Sequence, residues 1–179
     1  SILAGVDTLL AAGEVELLLG LLPPGTAGGA TPDVLAGIEA VNALLVQGAS
    51  DRNIAVVDTF GWSEEPGRVN PDGSVNIGNL TVDMSAAATA ADLSENGTGP
   101  CNDQGMCATE SHALYGSAED GLHPNTLIQG LIANQVIAAL NDNYGYGIAQ
   151  LSDQEILAVA GVSAVPVPAA AWLFASGLV

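Results

Sequence analysis

The chain has 179 residues, of which 20 are acidic and only two basic (Arg52 and Arg68), for a formal net charge of −18. A surface with almost no cations cannot release counterions from phosphates or attract anionic headgroups, so nucleic-acid binding and electrostatic attachment to lipid are excluded, leaving an apolar anchor for any membrane contact. Residues are 49% hydrophobic, 12% charged and 4% aromatic, which suits one globular domain with an aliphatic core rather than an acidic disordered segment. In chain order, Ile2, Val6, Leu9 and Leu10 stand at helical spacing, and Gly13 closes that pattern. Val15 to Leu22 is a nearly unbroken apolar run stopped by Pro23-Pro24, the pattern of a strand buried on both faces of a parallel sheet. Thr31-Pro32-Asp33 supplies a cap, a first-turn proline and a dipole-matched acid ahead of Val34, Ile38, Val41 and Leu45, which predicts a helix to about Gln47. Gly48 to Asn53 turn the chain, and Ile54 to Asp58 form a second short buried strand, completing a βαβ unit.

From Thr59 to Glu119 the periodicity weakens, and nine of the 20 acids fall there among Gly, Asn, Ser and Pro; a long excursion of this kind is often functional. Within it, Val75 and Ile77, then Leu80, Val82 and Met84, alternate on either side of Gly78-Asn79, a β-hairpin signature, and Ser85 caps an Ala-rich turn to Leu93. Pro124 opens a helix over 125–140, Asn141 to Gln150 form a polar linker, and Ser152 with Glu155 makes a capping box for a short helix to about Ala160. The expected organisation is a domain over 1–141 containing the 59–119 acidic loop, a linker with a short helix over 142–163, and an apolar tail over 164–179. Ser1 follows no positively charged leader and Val179 falls within an apolar run, so the sequence reads as part of a longer protein.

Only two histidines exist, His112 and His123. In Asp120-Gly121-Leu122-His123-Pro124 the glycine allows a tight turn that brings the Asp120 carboxylate to one imidazole nitrogen and leaves the other free. A carboxylate-oriented imidazole is the base half of a nucleophilic triad. His112 with Glu110, Glu119, Asp120 and His123 has no compact metal-ligand spacing, so neither a metal nor a cofactor is expected. Cys101 and Cys107 enclose five residues in a turn-rich loop and read either as a small disulfide, which fits an exported protein, or as free thiols. Phe60 and Trp62 lie just past the C-terminal end of the second strand, where ligands of open α/β sheets bind; they line an acyl pocket or cover the core edge under the long loop. Asp72-Gly73-Ser74 follows a turn-forming Asn70-Pro71, and Ser74 is not taken as a nucleophile.

Taken together, the strand ending in Pro23-Pro24, the helix with Asn42, Leu44 and Leu45, the strand ending in Val57-Asp58, the Cys-bearing loop and the Asp120 to Pro124 motif with Leu131-Ile132-Ala133 downstream resemble the C-terminal half of SGNH (GDSL-type) hydrolases over residues 1–141. The resemblance implies a three-layer α/β/α, flavodoxin-like fold and hydrolysis of small-molecule, lipid or carbohydrate esters by a Ser-His-Asp mechanism. Asp120 and His123 match its triad motif. The family's GDS serine and the Gly and Asn of its oxyanion hole have no counterpart here and are expected upstream. Val165-Pro166-Val167-Pro168 followed by Ala169 to Leu178 is similar to the start of a bacterial PEP-CTERM sorting signal, with Val167 in place of the usual Glu and no Arg cluster. This second resemblance implies export to the cell envelope, transient membrane anchoring and an exosortase-type partner. A tail packing on its own domain is the other reading of that segment. A non-catalytic acidic surface or matrix protein on the same scaffold is the alternative function.

Overall fold

The computed structural model describes residues 2–13, 15–23, 31–87, 115–117 and 124–162. They form a mixture of helices and short sheets, an α/β arrangement. Helix α1 (Ile2–Ala11) leads to strand β1 (Leu18–Gly20), helix α2 (Pro32–Ser50) and strand β2 (Ala55–Val57). As the sequence predicts, β1 and β2 pair in parallel, with Leu18 opposite Ala55 and Gly20 opposite Val57, and α2 is their crossover. The strands are shorter than the apolar runs that signal them. Only Leu19 of β1 is buried and Gly20 is exposed, so β1 does not have the fully covered faces that the unbroken run implies. The α2 cap forms as expected, with Thr31 Oγ1 accepting from the Val34 N–H and Pro32 in the first turn.

Helix α2 runs three residues past its expected end, through Gly48, Ala49 and Ser50. The cause is tertiary. The Leu3 side chain of α1 lies so close to Gly48 that a Cβ there would meet it at 2.6 Å, and Arg52 secures the helix end by donating to the Gly48 carbonyl and, through two nitrogens, to Asp7. The turn is thereby confined to Asp51–Asn53, where Asn53 adopts a left-handed φ of 53°.

A short 3-10 turn over Gly61–Glu64 follows β2, and then the hairpin β3 (Val75–Ile77) and β4 (Leu80–Ala87). They pair antiparallel around Gly78-Asn79 in the predicted register, with Val75 opposite Val82 and Ile77 opposite Leu80. Gly78 has φ 59°, a value that suits glycine at the first position of a two-residue hairpin turn. Ser85 lies inside β4 rather than capping a turn, because β4 continues to Ala87 and gains a parallel neighbour, β5 (Tyr115–Ser117), through an irregular register. Residues 88–93 lie outside the described residues.

Helix α3 (Thr126–Tyr144) is capped by Asn125, whose Oδ1 accepts from the Ile128 N–H, so Pro124 precedes the cap rather than occupying the first turn. It continues through Asn141–Tyr144, residues expected in the linker, and ends at Gly145 with φ 71°. Helix α4 (Asp153–Val159) has the predicted capping box between Ser152 and Glu155. One core joins Val75, Ile77 and Val82 of the hairpin to Leu127, Ile128 and Leu131 of α3 and to Ile156 and Leu157 of α4; a smaller one joins Leu19, Leu45 and Ala49. The short helix and its flanks are thus packed structure. Asn141 and Asn134 of α3 each clamp one residue of the intervening segment, Ile148 and Leu151, by accepting from its N–H and donating to its carbonyl.

Candidate functional site

The C-terminal ends of β1 and β2 define the edge at which an open α/β sheet places its ligands. Beyond β1, the Leu21 N–H still donates to the Val57 carbonyl, at 2.9 Å, so the two chains leave the sheet together. Asn42 of α2 then takes over: its Oδ1 accepts from the Leu22 N–H at 2.8 Å and its Nδ2 donates to the Leu22 carbonyl at 2.9 Å. Beyond β2, the Asp58 carboxylate accepts from the Phe60 N–H at 3.0 Å, forming an Asx turn that sets up the 3-10 segment.

Helix α3 runs antiparallel to the two strands. At its C-terminal end the Tyr144 hydroxyl donates to the Leu17 carbonyl and accepts from the Ala55 N–H, at the starting ends of β1 and β2. At its midpoint Gln135 lies against Gly61, where a Cβ would meet its Oε1 at 2.8 Å, and nearer the N-terminal end Leu127, Ile128 and Leu131 share a core with Trp62. The N-terminal half of α3 therefore extends past the C-terminal ends of the parallel pair, over the 3-10 turn and the hairpin. Asn125 is 4% exposed, Leu127 and Ile128 are buried, and Gln129 Nε2 donates to the Pro124 carbonyl at 2.8 Å, so the first turn is firmly seated.

Asp120 and His123, which the sequence singles out as orienter and base, lie outside the described residues, as do Cys101, Cys107 and His112. Pro124 and Asn125, which follow His123 directly, are the nearest described residues. Trp62 is 2% exposed and donates its indole N–H to the Thr59 carbonyl at 3.0 Å, which gives it the second of its two sequence readings, a core-edge residue. Phe60 is half-buried against it, ring centroids 5.7 Å apart, and packs on the same core. Ser74 donates to Asp72 at 2.7 Å and accepts from Asn70 at 2.9 Å within its turn. These Ser74 bonds, hydroxyl first and backbone N–H second, hold the Asp72 carboxyl below its ordinary range.

A polar cleft of about 220 Å³ lies elsewhere, at the hairpin, between Glu65, Arg68, Asn76 and Asp153. Its guanidinium is fully engaged: Arg68 donates to Glu65, to Asp153 and to the Asn76 carbonyl. Burial works against the charge of Arg68, yet its bonds to Glu65 and Asp153 prevail and raise its pKa. The cleft thus reads as a structural tie between loop, hairpin and α4. Among the described residues no group of three or more His, Cys, Asp or Glu can hold a metal ion, and no helix is long and apolar enough to cross a membrane.

Asn42 enters the sequence reading only as part of a resemblance, and its pair of hydrogen bonds to the Leu22 backbone is what that reading misses. The available signal is a carboxamide bordering the apolar stripe of Ile38, Val41 and Leu45. In comparisons with protein-family models, curated proteins and solved structures, the chain matches none of them.

Proposed function

We propose that this chain is the Asp–His part of an exported ester hydrolase of the SGNH type. The observation that supports this reading is the direction of α3: it runs antiparallel to β1 and β2, so its start, which directly follows the Asp120 to Pro124 motif, points past their C-terminal ends. In the proposed mechanism the Asp120 carboxylate orients the imidazole of His123 and stabilises its charged form. The imidazole takes the proton of an attacking serine hydroxyl and returns it to the leaving alcohol. The serine and the oxyanion donors are those of the family's N-terminal motifs, which this sequence does not contain. The Pro-x-Pro segment and apolar tail add export to the bacterial envelope, transient anchoring through the C-terminal segment and processing by an exosortase-type enzyme.

Hydrolysis of aryl and acetyl esters by the full-length protein tests the reading. His123→Ala is expected to lower kcat by several orders of magnitude, and Asp120→Asn by roughly 10⁴-fold. Unchanged turnover in His123→Ala overturns it. A full-length protein without ester turnover favours the non-catalytic acidic surface protein instead.

A further inference from the structure

We propose that Asn42 is a positioning residue for an apolar wall of the site, fixing the segment that leaves β1 so that the Leu22 side chain faces the acyl group of an ester; this rests on the hydrolase reading above. Three observations carry the inference. First, Leu22 is the residue at which β1 loses its sheet partner, since the last bond between the two chains is from the Leu21 N–H to the Val57 carbonyl. Second, the backbone bonds of Leu22 are supplied by one side chain 20 residues away: Asn42 accepts from its N–H and donates to its carbonyl, at 2.8 and 2.9 Å, as a neighbouring strand would. Third, the side chain so held is not in the core. Leu22 is 43% exposed, beside the backbone that carries Thr59 and Phe60, whose proximity is marked by the Thr59 hydroxyl donating to the Leu21 carbonyl at 3.5 Å.

An exposed leucine held by a dedicated carboxamide at the ligand-binding edge, with a half-buried phenylalanine on the adjacent segment, suits an apolar acyl chain better than an acetyl group. Asn134 and Asn141 make the same pair of hydrogen bonds to the backbone of Leu151 and Ile148, on the segment between α3 and α4. They provide internal controls for a purely structural clamp.

The test measures the full-length protein in two ways: amide hydrogen exchange, and hydrolysis of acetyl and octanoyl aryl esters. Asn42→Leu removes both hydrogen bonds and keeps the branching at Cγ; Asn42→Asp keeps the acceptor for the Leu22 N–H and loses the donor, so it reports even if the bulkier leucine variant does not fold. For Asn42→Leu, exchange at the Leu22 amide is expected to rise roughly tenfold or more, and KM for the octanoyl ester roughly tenfold, with kcat nearly unchanged. Asn42→Asp is expected to show a smaller effect in the same direction. Asn134→Leu and Asn141→Leu are expected to loosen their own partners and leave the acetyl-to-octanoyl preference as in the parent protein. An active enzyme in which both Asn42 variants keep the parental KM and preference overturns the role of Asn42 alone. A parent protein that turns over neither ester overturns the hydrolase reading and this role together.

Discussion

The two halves of the molecule solve the same packing problem with unequal means. The hairpin, α3 and α4 enclose a core in which Val75, Ile77, Val82, Leu127, Ile128, Leu131 and Ile156 are almost wholly removed from water. The parallel half gathers a smaller cluster, Leu19, Leu45 and Ala49, with Ala55 and Val57 of β2 also buried, and leaves Val34, Val41 and Leu44 of α2 exposed. Burial of apolar area is the principal favourable contribution to folding, so the first half supplies most of the stability, and the second presents the sheet edge at which the site is proposed. The polar devices divide differently. Each half has one arginine and binds extended segments to helices with asparagine carboxamides, a cation-independent device in a chain with two basic residues. Parallel sheets ordinarily have both faces covered.

The comparison is sharpest in the cores. Ile128→Ala or Leu131→Ala is expected to cost about 3–4 kcal/mol, and Leu45→Ala about 2 kcal/mol because its surroundings are thinner and relax more readily. Chemical denaturation of each variant measures this, and equal losses would show that the two halves are equally packed. Next in size, Asn125→Ala removes a buried cap and is expected to cost roughly 1–2 kcal/mol, with Asn125→Asp retaining most of it. Among the cations, Arg68→Met is expected to lower the melting temperature more than Arg52→Met, since Arg68 is 15% exposed and joins three segments while Arg52 lies nearer solvent. The reverse order would place the principal tie in the parallel half.

The pH dependence follows from the caps. Glu155 has its carboxyl lowered, first by the Ser152 N–H and then by the Ser152 hydroxyl. A depressed carboxylate contributes stability that is present above its unfolded pKa and lost as pH falls through its folded value, so this contribution fades below about pH 4. Glu155→Gln is expected to show a shallower acid loss than the parent in urea titrations between pH 6 and 3; identical slopes would remove the capping box from the account. Smallest of all, Leu44→Lys is expected to change stability by no more than about 0.5 kcal/mol, because Leu44 is 67% exposed. A larger loss would reveal that the outer face of α2 is covered in solution.

Much of this architecture is legible in the sequence where the information is local. Thr31-Pro32-Asp33 marks the start of α2, the alternation around Gly78-Asn79 marks the hairpin, and Ser152 with Glu155 marks α4. What escapes depends on distant partners. Gly48 continues a helix because Leu3 packs on it, and α3 reaches Tyr144 because that hydroxyl finds Leu17 and Ala55 at the strand ends. Tyr115-Gly116-Ser117 has no alternation to announce β5, which exists only through pairing with β4. The stripe of Val34, Ile38 and Val41 is legible as apolar, but the thin cover over it is not. For the candidate site, the Asp120 to Pro124 motif is plain in the sequence, whereas the antiparallel direction of the helix that follows it comes from the fold.

The central claim, that His123 works beside Asp120 at this edge, is tested most directly by NMR of the His123 imidazole in the folded chain, assigned against His112→Ala. The account predicts through-space contacts from the ring to the Leu22 or Phe60 side chain, and a hydrogen-bonded ring N–H that is lost in Asp120→Asn. An imidazole that contacts neither residue, and whose N–H signal is unchanged in Asp120→Asn, would contradict it.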